Sequence, residues 1–410
     1  MKKRHQVLLV LSILSVITFL DRIAISTASN RITQDLGLSE VQWGWVLGIF
    51  TLSYGIFEIP TGLLGDKNGA KKLLIRVVLW WSFFTVLTGF SINFTMLLIV
   101  RFLFGMGEAG AYPNISIALS KWFPAYERGQ AQAIIWTASR LGAGLTPLLV
   151  IPIQQNYGWQ TSFYVLGVMG VLWVIFWKYW YQEDPEIATN ISEKERSEIL
   201  NNRQLSNHSE DIPLRKLLNN KNLWFLMAMY FCYASGAYFF QGWLPKYLQN
   251  GRHITENQLK YVTSIPFVLA ALGCFFGGIL SDFLVKKYGK KWGRRIAPMI
   301  GLGLSGIFVI VSALTQNDTI AIILLSIGMM FMDVTAPVSW AVTMDIGGKR
   351  SGSVSGAMNT AGLAGAYLST VSFGYLATNY GYNFPVLLLG IIVIIGAFLW
   401  LKIDAEEVLG

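Results

Sequence analysis

The sequence predicts an all-α membrane protein: twelve transmembrane helices in two pseudo-symmetric six-helix bundles. Three observations carry that expectation. Of 410 residues, 53% are hydrophobic, 14% aromatic and only 13% charged, against about 25% charged in soluble domains. Apolar stretches recur from end to end, each close to the ~20 residues a helix needs to cross a hydrocarbon core of about 30 Å. A polar stretch divides these spans six and six, and the loop after the second span is echoed after the eighth.

In the first half the spans fall at 7–28, 42–64, 73–91, 95–119, 130–152 and 161–181. The first follows MKKRH and so resembles a secretory leader. Its apolar run is about twice the usual length of a leader core, carries Asp21 and Arg22, and ends without a small-residue cleavage site, so it is expected to stay as the first helix. The second ends in GLLGDKNGAKK, the fourth carries Arg101, Glu108 and the helix-interrupting pair Tyr112-Pro113, and the fifth carries Arg140 with Gly142 and Gly144. The polar stretch 182–221 follows, with SEKERSEIL helical in pattern and the remainder a linker.

In the second half the spans fall at 222–247, 261–283, 294–314, 320–345, 351–377 and 384–402. The seventh holds the aromatic cluster Tyr230, Tyr233, Tyr238 and Phe239, either gate or core. GGILSDFLVKKYGKK closes the eighth and places Asp282 where Asp66 stands in the first half, as a duplicated six-helix unit requires. The tenth holds Asp333 and Pro337, and the eleventh holds Gly352, Gly356, Gly362 and Gly365, residues that allow close helix approach. The expected domains are therefore 1–181, a cytoplasmic linker 182–221, and 222–410.

The net charge of +9 raises nucleic acid as a partner, which the positions of the basic residues argue against. Of 32 Lys and Arg, 25 lie in loops and ends on one face, 4 on the other and 3 inside spans. The positive-inside rule then puts both termini in the cytoplasm of a multi-pass protein of the cell membrane, with lipid and not nucleic acid around it. Cys232 and Cys274 both fall within spans, and no set of His and Cys has metal-ligand spacing, so neither a disulfide framework nor a metal or cofactor is expected.

The ionisable residues inside spans point to function. Each costs about 2.5 to 3.5 kcal/mol by insertion scales unless it is paired or lines a wet cavity. Asp21 and Arg22 are consecutive, hence about 100° apart on a helix, and point to different neighbours. Arg101 and Glu108 are seven apart, on one face and about 10 Å apart along the axis. If the first helix packs beside the fourth, Asp21 pairs with Arg101 and Arg22 is left for an anion, whose carboxylate a guanidinium fork binds bidentately.

Enzyme chemistry finds no support: no phosphate-cradling GxxxxGK[ST] and no G-x-S-x-G nucleophile elbow occur. An anion channel also uses buried arginines. Duplicated halves around a central site favour a carrier with alternating access.

Gly62-x-x-x-Gly65-Asp66-Lys67-x-Gly69-x-Lys71-Lys72 resembles the loop signature of the major facilitator superfamily, and the resemblance extends over essentially the whole chain. Gly62, Asp66, Lys67, Gly69 and Lys71, with Asp282 in the second half, are then the expected cytoplasmic gate. Asp66 would accept bonds from helix N-termini or basic residues, against the alternative of a solvated loop whose charges only set topology. FLDR (19–22), YGIFEIPTG (54–62), RFLFGMGEAGAYPN (101–114), PVSWA (337–341) and SGAMNTAG (355–362) resemble the anion:cation symporter family, which includes sialin and bacterial hexuronate, glucarate and galactonate carriers.

That resemblance implies uptake of a small organic anion, with Arg22 as the anion-binding arginine and Tyr54, Ser339, Trp340 and Asn359 lining the chamber. The chain departs from it at three places. Phe19 replaces a Tyr, Glu58 a Gln, and Ser139 a Gln with Arg140 beside it. The second cation favours a substrate with a second anionic group or a smaller polyol part; Arg140 bonded to backbone carbonyls or to Glu58 is the alternative. Coupling falls to Glu108, with Asp21 and Arg101, because a carboxyl whose partner changes between conformations binds a proton on one side and releases it on the other. His5, His208 and His253 lie at ends or in loops and do not compete. Sodium coupling and exchange are the rivals to proton symport. Asp333 either pairs locally or touches the path, and the protein is expected to act as a monomer.

Overall fold

The computed structural model describes residues 2–124, 127–189, 191–202, 220–347 and 351–407, the side chains of Leu63 and Asp66 excepted. Among the described residues all regular structure is helical. In the first half the helices are α1 (Lys3–Thr27), α2 (Ser29–Asp35), α3 (Glu40–Asn68), α4 (Ala70–Gly89), α5 (Phe94–Glu108), α6 (Ala111–Trp122), α7 (Arg128–Tyr157), α8 (Trp159–Trp180) and α9 (Glu193–Asn201). In the second they are α10 (Lys221–Tyr238), α11 (Glu256–Leu314), α12 (Asp318–Asp333), α13 (Thr335–Gly347), α14 (Ser351–Tyr380) and α15 (Asn383–Leu399). After α10 the chain continues as two π-helical stretches, Phe239–Trp243 and Tyr247–Gly251, around the turn Leu244–Lys246.

Nine helical stretches among the described residues are long and apolar enough to cross a membrane. One of them, α11, is 59 residues long and has non-helical backbone at Gly289 in its middle; α3 and α14, at 29 and 30 residues, are each about as long as one of its two limbs. The hydrophobic side chains left exposed, such as Phe83, Leu172, Phe276 and Phe283, form the surface that hydrocarbon covers.

Short polar signals set the helix ends. Asn93, Ser192, Asn220 and Asn317 cap α5, α9, α10 and α12 by accepting bonds from backbone N–H groups of the first turn. Gly69, Gly158, Gly289 and Gly381 have φ between 76° and 84° and join α3 to α4, α7 to α8, the two limbs of α11, and α14 to α15. Those are corresponding places in the two halves, so the duplication is written in backbone geometry that only glycine adopts without strain.

Two carboxylates from the polar stretch after α8 cap helices of the first half. Glu183 accepts from the N–H groups of Ala70 and Lys71 (3.0 and 2.7 Å) and from Lys121 Nζ (2.6 Å). Glu195 accepts from those of Lys3 and Arg4 (3.0 and 2.9 Å). Each places negative charge at the positive end of a helix dipole. Arg4, 2% exposed, then reaches Glu127 (2.9 Å) and Glu198 (3.0 Å).

The chain forms two compact units, Met1–Ile32 with Ile49–Asn207, and Thr33–Gly48 with His208–Gly410. These bounds differ from the expected 1–181 and 222–410 in two respects. The front of the linker, including α9, belongs with the first unit, held there by Glu183 and Glu195. Residues 33–48 belong with the second. There Lys246, read from sequence as an outer loop residue, is only 1% exposed and meets Glu40 (3.2 Å) and Thr33 Oγ1 (3.1 Å).

Candidate substrate and coupling site

Within the first unit, α1, α3, α4, α5, α6 and α7 bring the ionisable groups together. Gly105 lets α5 approach Phe50 and Ser53 of α3, and Gly142 lets α7 approach the backbone of Val16 in α1; a Cβ at either position would collide with those atoms. α5 ends at Glu108, and α6 begins after the two-residue break at Ala109-Gly110. Pro113 sits in the first turn of α6, where its missing N–H leaves no helical bond unmade. The interruption expected at Tyr112-Pro113 thus lies just before them, and it leaves Glu108 as the last residue of its helix.

At that break Arg22 Nε donates to Glu108 Oε1 at 2.7 Å, with the two side chains 9% and 0% exposed. The guanidinium is framed by aromatic rings: Tyr54 at 4.6 Å, Phe19 at 5.3 Å, Phe50 at 5.5 Å and Tyr112 at 5.8 Å from ring centre to Cζ. Such faces attract a cation without offering it a counter-charge. Arg101 lies against Phe104 (4.6 Å) and Phe50 (4.9 Å).

The pairing corrects the expectation that Asp21 takes Arg101 and leaves Arg22 for an anion. Asp21 turns instead toward α4, where Thr85 and Trp81 stand beside it. Neither of its carboxylate oxygens makes a hydrogen bond of normal geometry among the described residues, and Arg101 Nε and Glu108 Oε2 are likewise buried without one. The physical reason is the ~100° between consecutive side chains. With Asp21 aimed at α4, Arg22 swings to the end of α5, where Glu108 meets it.

Arg140 is 7% exposed and lies 5.7 Å from the Phe19 ring, on the α7 face that meets α1. Its neighbour Ser139 joins a hydroxyl triangle with Ser15 (2.7 Å) and Tyr112 (2.7 Å), whose own separation is 3.0 Å. Tyr112 in turn stacks on Trp136 at 4.7 Å. Sequence reasoning missed Ser15 and took Tyr112 only as a helix interrupter; no periodicity distinguishes a serine aimed at a neighbour from one aimed at its own helix.

The other expected substrate residues lie in the second unit. Ser339 is fully buried and donates to Thr335 O at 2.9 Å, and Trp340 and Asn359 are half-buried. Asp282 accepts from Arg294 Nη1 at 2.8 Å, while Arg294 Nε donates to Asp345 at 2.9 Å, two partners the sequence did not single out. At the corresponding end of the first half, Gly62 is half-buried near Pro113, Gly65 packs on Asn114 and Ile117, and Lys67 is exposed. Gly69 and Lys71 form the Glu183-capped turn. The Asp66 side chain lies outside the described residues.

Helices of membrane-crossing length, built twice, with acids and arginines held at a helix break inside the bundle, define a membrane transporter and not an enzyme. The chain belongs to the Major Facilitator Superfamily, whose family model matches residues 11–370. It is 34% identical to a protein of Cupriavidus necator named a probable sulfoacetate transporter, over 98% of this chain and 94% of that protein. It is 30% identical to the hexuronate transporter of Bacillus subtilis, over 90% of this chain and 87% of that one. The D-galactonate transporter of Escherichia coli is 28% identical, over 99% and 96% respectively. Among solved structures the fold matches a bacterial homologue of the human lysosomal transporter Spinster, solved inward-facing and unoccupied. The TM-score there is 0.79 at 18% identity, covering 98% of this chain and 96% of the other.

Proposed function

We propose that this protein takes up a small organic anion carrying two acidic groups, of the sulfoacetate kind, by proton symport with alternating access. The observation that carries the reading is the buried Arg22–Glu108 ion pair, 2.7 Å long and enclosed by aromatic faces. Removing one partner of such a pair costs about 3–5 kcal/mol, because the other charge is left uncompensated. The guanidinium is therefore exchanged between anions and never left bare.

The cycle follows from that exchange. A proton reaching Glu108 from the acidic side neutralises it and frees Arg22 for a carboxylate or sulfonate of the substrate. After reorientation the proton leaves to the more alkaline cytoplasm, Glu108 reclaims Arg22, and the anion is displaced. Asp21 and Arg101 tune the site's charge, since both act on Glu108 or on one another through a low-dielectric interior. Arg140, near the same Phe19 ring, takes the second acidic group. Phe19, Phe50 and Tyr54 suit a compact acid better than a long polyol, and the relative named for sulfoacetate supports that class. The reading places the carrier in the cell membrane as a monomer with both termini in the cytoplasm. In the first unit the reading assigns Gly62, Asp66, Lys67, Gly69 and Lys71 to gating and Tyr54 to substrate contact; in the second unit it assigns Asp282 to gating and Ser339, Trp340 and Asn359 to substrate contact.

The test is uptake into proteoliposomes with radiolabelled sulfoacetate, D-galactonate, D-glucarate and a hexuronate, under an imposed pH or sodium gradient. Accumulation of sulfoacetate above equilibrium when the outside is acidic, collapsed by a protonophore, is the expected result. Uptake driven by sodium without a pH gradient, or transport confined to the sugar acids, overturns it.

A further inference from the structure

The hydroxyl triangle near the Arg22–Glu108 pair is built from three helices and stands beside the break at which Glu108 ends α5. Ser15 comes from α1, Tyr112 from the first turn of α6 and Ser139 from α7, and all three are buried. Their oxygens lie 2.7–3.0 Å apart, and Ile135 O of α7 lies 3.1 Å from Ser15 Oγ and 3.0 Å from Ser139 Oγ. Five contacts therefore share three hydroxyl hydrogens. One chain of bonds uses all of them: Tyr112 donates to one serine, that serine to the other, and the second serine to Ile135 O. The cluster is thus satisfied within itself, as a buried set of hydroxyls has to be.

The phenol ring is held as well as its hydroxyl. It stacks on Trp136 of α7, with ring centres 4.7 Å and planes 1° apart, and meets Phe19 of α1 edge-on at 6.5 Å. Arg22 Cζ lies 5.8 Å from its centre. Ser15, Phe19 and Arg22 follow one another at spacings of four and three, so they line one face of α1. Tyr112 lies along that face, with its hydroxyl at Ser15 and its ring near Phe19 and Arg22. It is also four residues after Glu108, just across the Ala109-Gly110 break. Whatever fixes Tyr112 therefore fixes where the end of α5 comes relative to α1. Further along α6 the contact of Ser116 with Gln132 of α7 is exposed and 3.5 Å long, too loose to take over that task.

We propose that Tyr112 is a positioning residue for the ion pair: gripped by Ser15 and Ser139, it holds the end of α5 against α1 so that Glu108 reaches Arg22. The grip itself needs no substrate. Its consequence for transport rests on the reading above, in which Glu108 displaces the anion by reclaiming Arg22. A misplaced Glu108 competes less well for the guanidinium, so the anion binds more tightly and leaves more slowly. Loss of the phenol hydroxyl should then lower apparent KM and maximal rate together, whereas loss of folded protein lowers the rate alone.

Tyr112→Phe keeps the ring on Trp136 and deletes the hydroxyl; Ser15→Ala combined with Ser139→Ala deletes the other side of the grip and replaces Tyr112→Phe in both experiments if that variant does not fold. Without substrate, unfolding temperatures of the full-length protein are measured for Arg22→Gln, Glu108→Gln and the two together, in the parent and in Tyr112→Phe. The non-additivity that reports the ion pair should fall by about half or more in Tyr112→Phe; equal non-additivity in the two backgrounds overturns the proposal. In pH-driven proteoliposomes supplied with sulfoacetate, Tyr112→Phe should lower KM and maximal rate by similar factors, about 2- to 12-fold for one lost hydrogen bond. The double serine variant should match it, and either serine change alone should do less, because the remaining serine still links Tyr112 to Ile135 O. A lowered rate at unchanged KM makes Tyr112 a packing residue and refutes its role in transport. Failure of the parent to transport sulfoacetate counts against the functional reading, and the unfolding cycle then decides the positioning role separately.

Discussion

Replacing Arg22 with lysine keeps a positive charge at the end of α5 but removes the fork. In the structure that guanidinium donates from Nε to Glu108 at 2.7 Å and its Cζ lies 4.6 Å from the centre of the Tyr54 ring. A lysine ammonium is a point charge that retains the attraction to Glu108 and to an anion but cannot bind a carboxylate or sulfonate through two parallel bonds. One charge-assisted hydrogen bond contributes about 1.5–3 kcal/mol, and each 1.36 kcal/mol is tenfold. The apparent KM for sulfoacetate in pH-driven proteoliposome uptake should therefore rise about 10- to 150-fold, with the protein still folded by size-exclusion chromatography. Arg22→Ala, which strands Glu108, should abolish uptake. A lysine variant whose KM stays within about twofold of the parent would refute bidentate capture of the anion by Arg22.

Arg140→Ala should weaken inhibition by dianions such as sulfoacetate more than by monoanions such as acetate, as measured by competition; equal losses would remove Arg140 from the substrate chamber. Gly69→Ala forces a side chain into φ 83° beside the Glu183 carboxylate. It should cost about 1–3 kcal/mol, seen as a lower unfolding temperature than that of Gly352→Ala, where a Cβ meets nothing; identical unfolding would contradict the turn's assigned strain. Arg294→Ala deprives Asp345 (16% exposed) of its 2.9 Å partner and should destabilise by about 1–3 kcal/mol. Lys290, 3.5 Å from the other Asp345 oxygen, limits that loss, and an unshifted melt of the variant would dismiss the cluster as a structural tie.

The fold was legible because membrane spans are a problem of length and polarity, which composition records directly. The duplication was legible from two loops, although the recurrence of Gly69, Gly158, Gly289 and Gly381 at matching turns became visible only with backbone angles. The candidate site was legible as a set of residues and not as a set of bonds. Asp21, Arg22, Arg101 and Glu108 stood out because charge inside a span is costly, but which way Asp21 faces depends on the rotation of α1 against α4 and α5. Glu183 and Glu195 were hidden for another reason. They lie in a stretch whose composition reads as linker, and their role as helix caps exists only once the ends of α1 and α4 are brought beside them.

The measurement that bears most directly on coupling compares two modes of transport by Glu108→Gln. The glutamine keeps the shape of the side chain but neither carries charge nor binds a proton. Proteoliposomes containing this variant should exchange external labelled sulfoacetate for internal unlabelled sulfoacetate, and should fail to accumulate it against a gradient when the outside is made acidic. Accumulation equal to that of the parent protein under the same pH gradient would contradict the claim that Glu108, through its contact with Arg22, ties the anion to the proton.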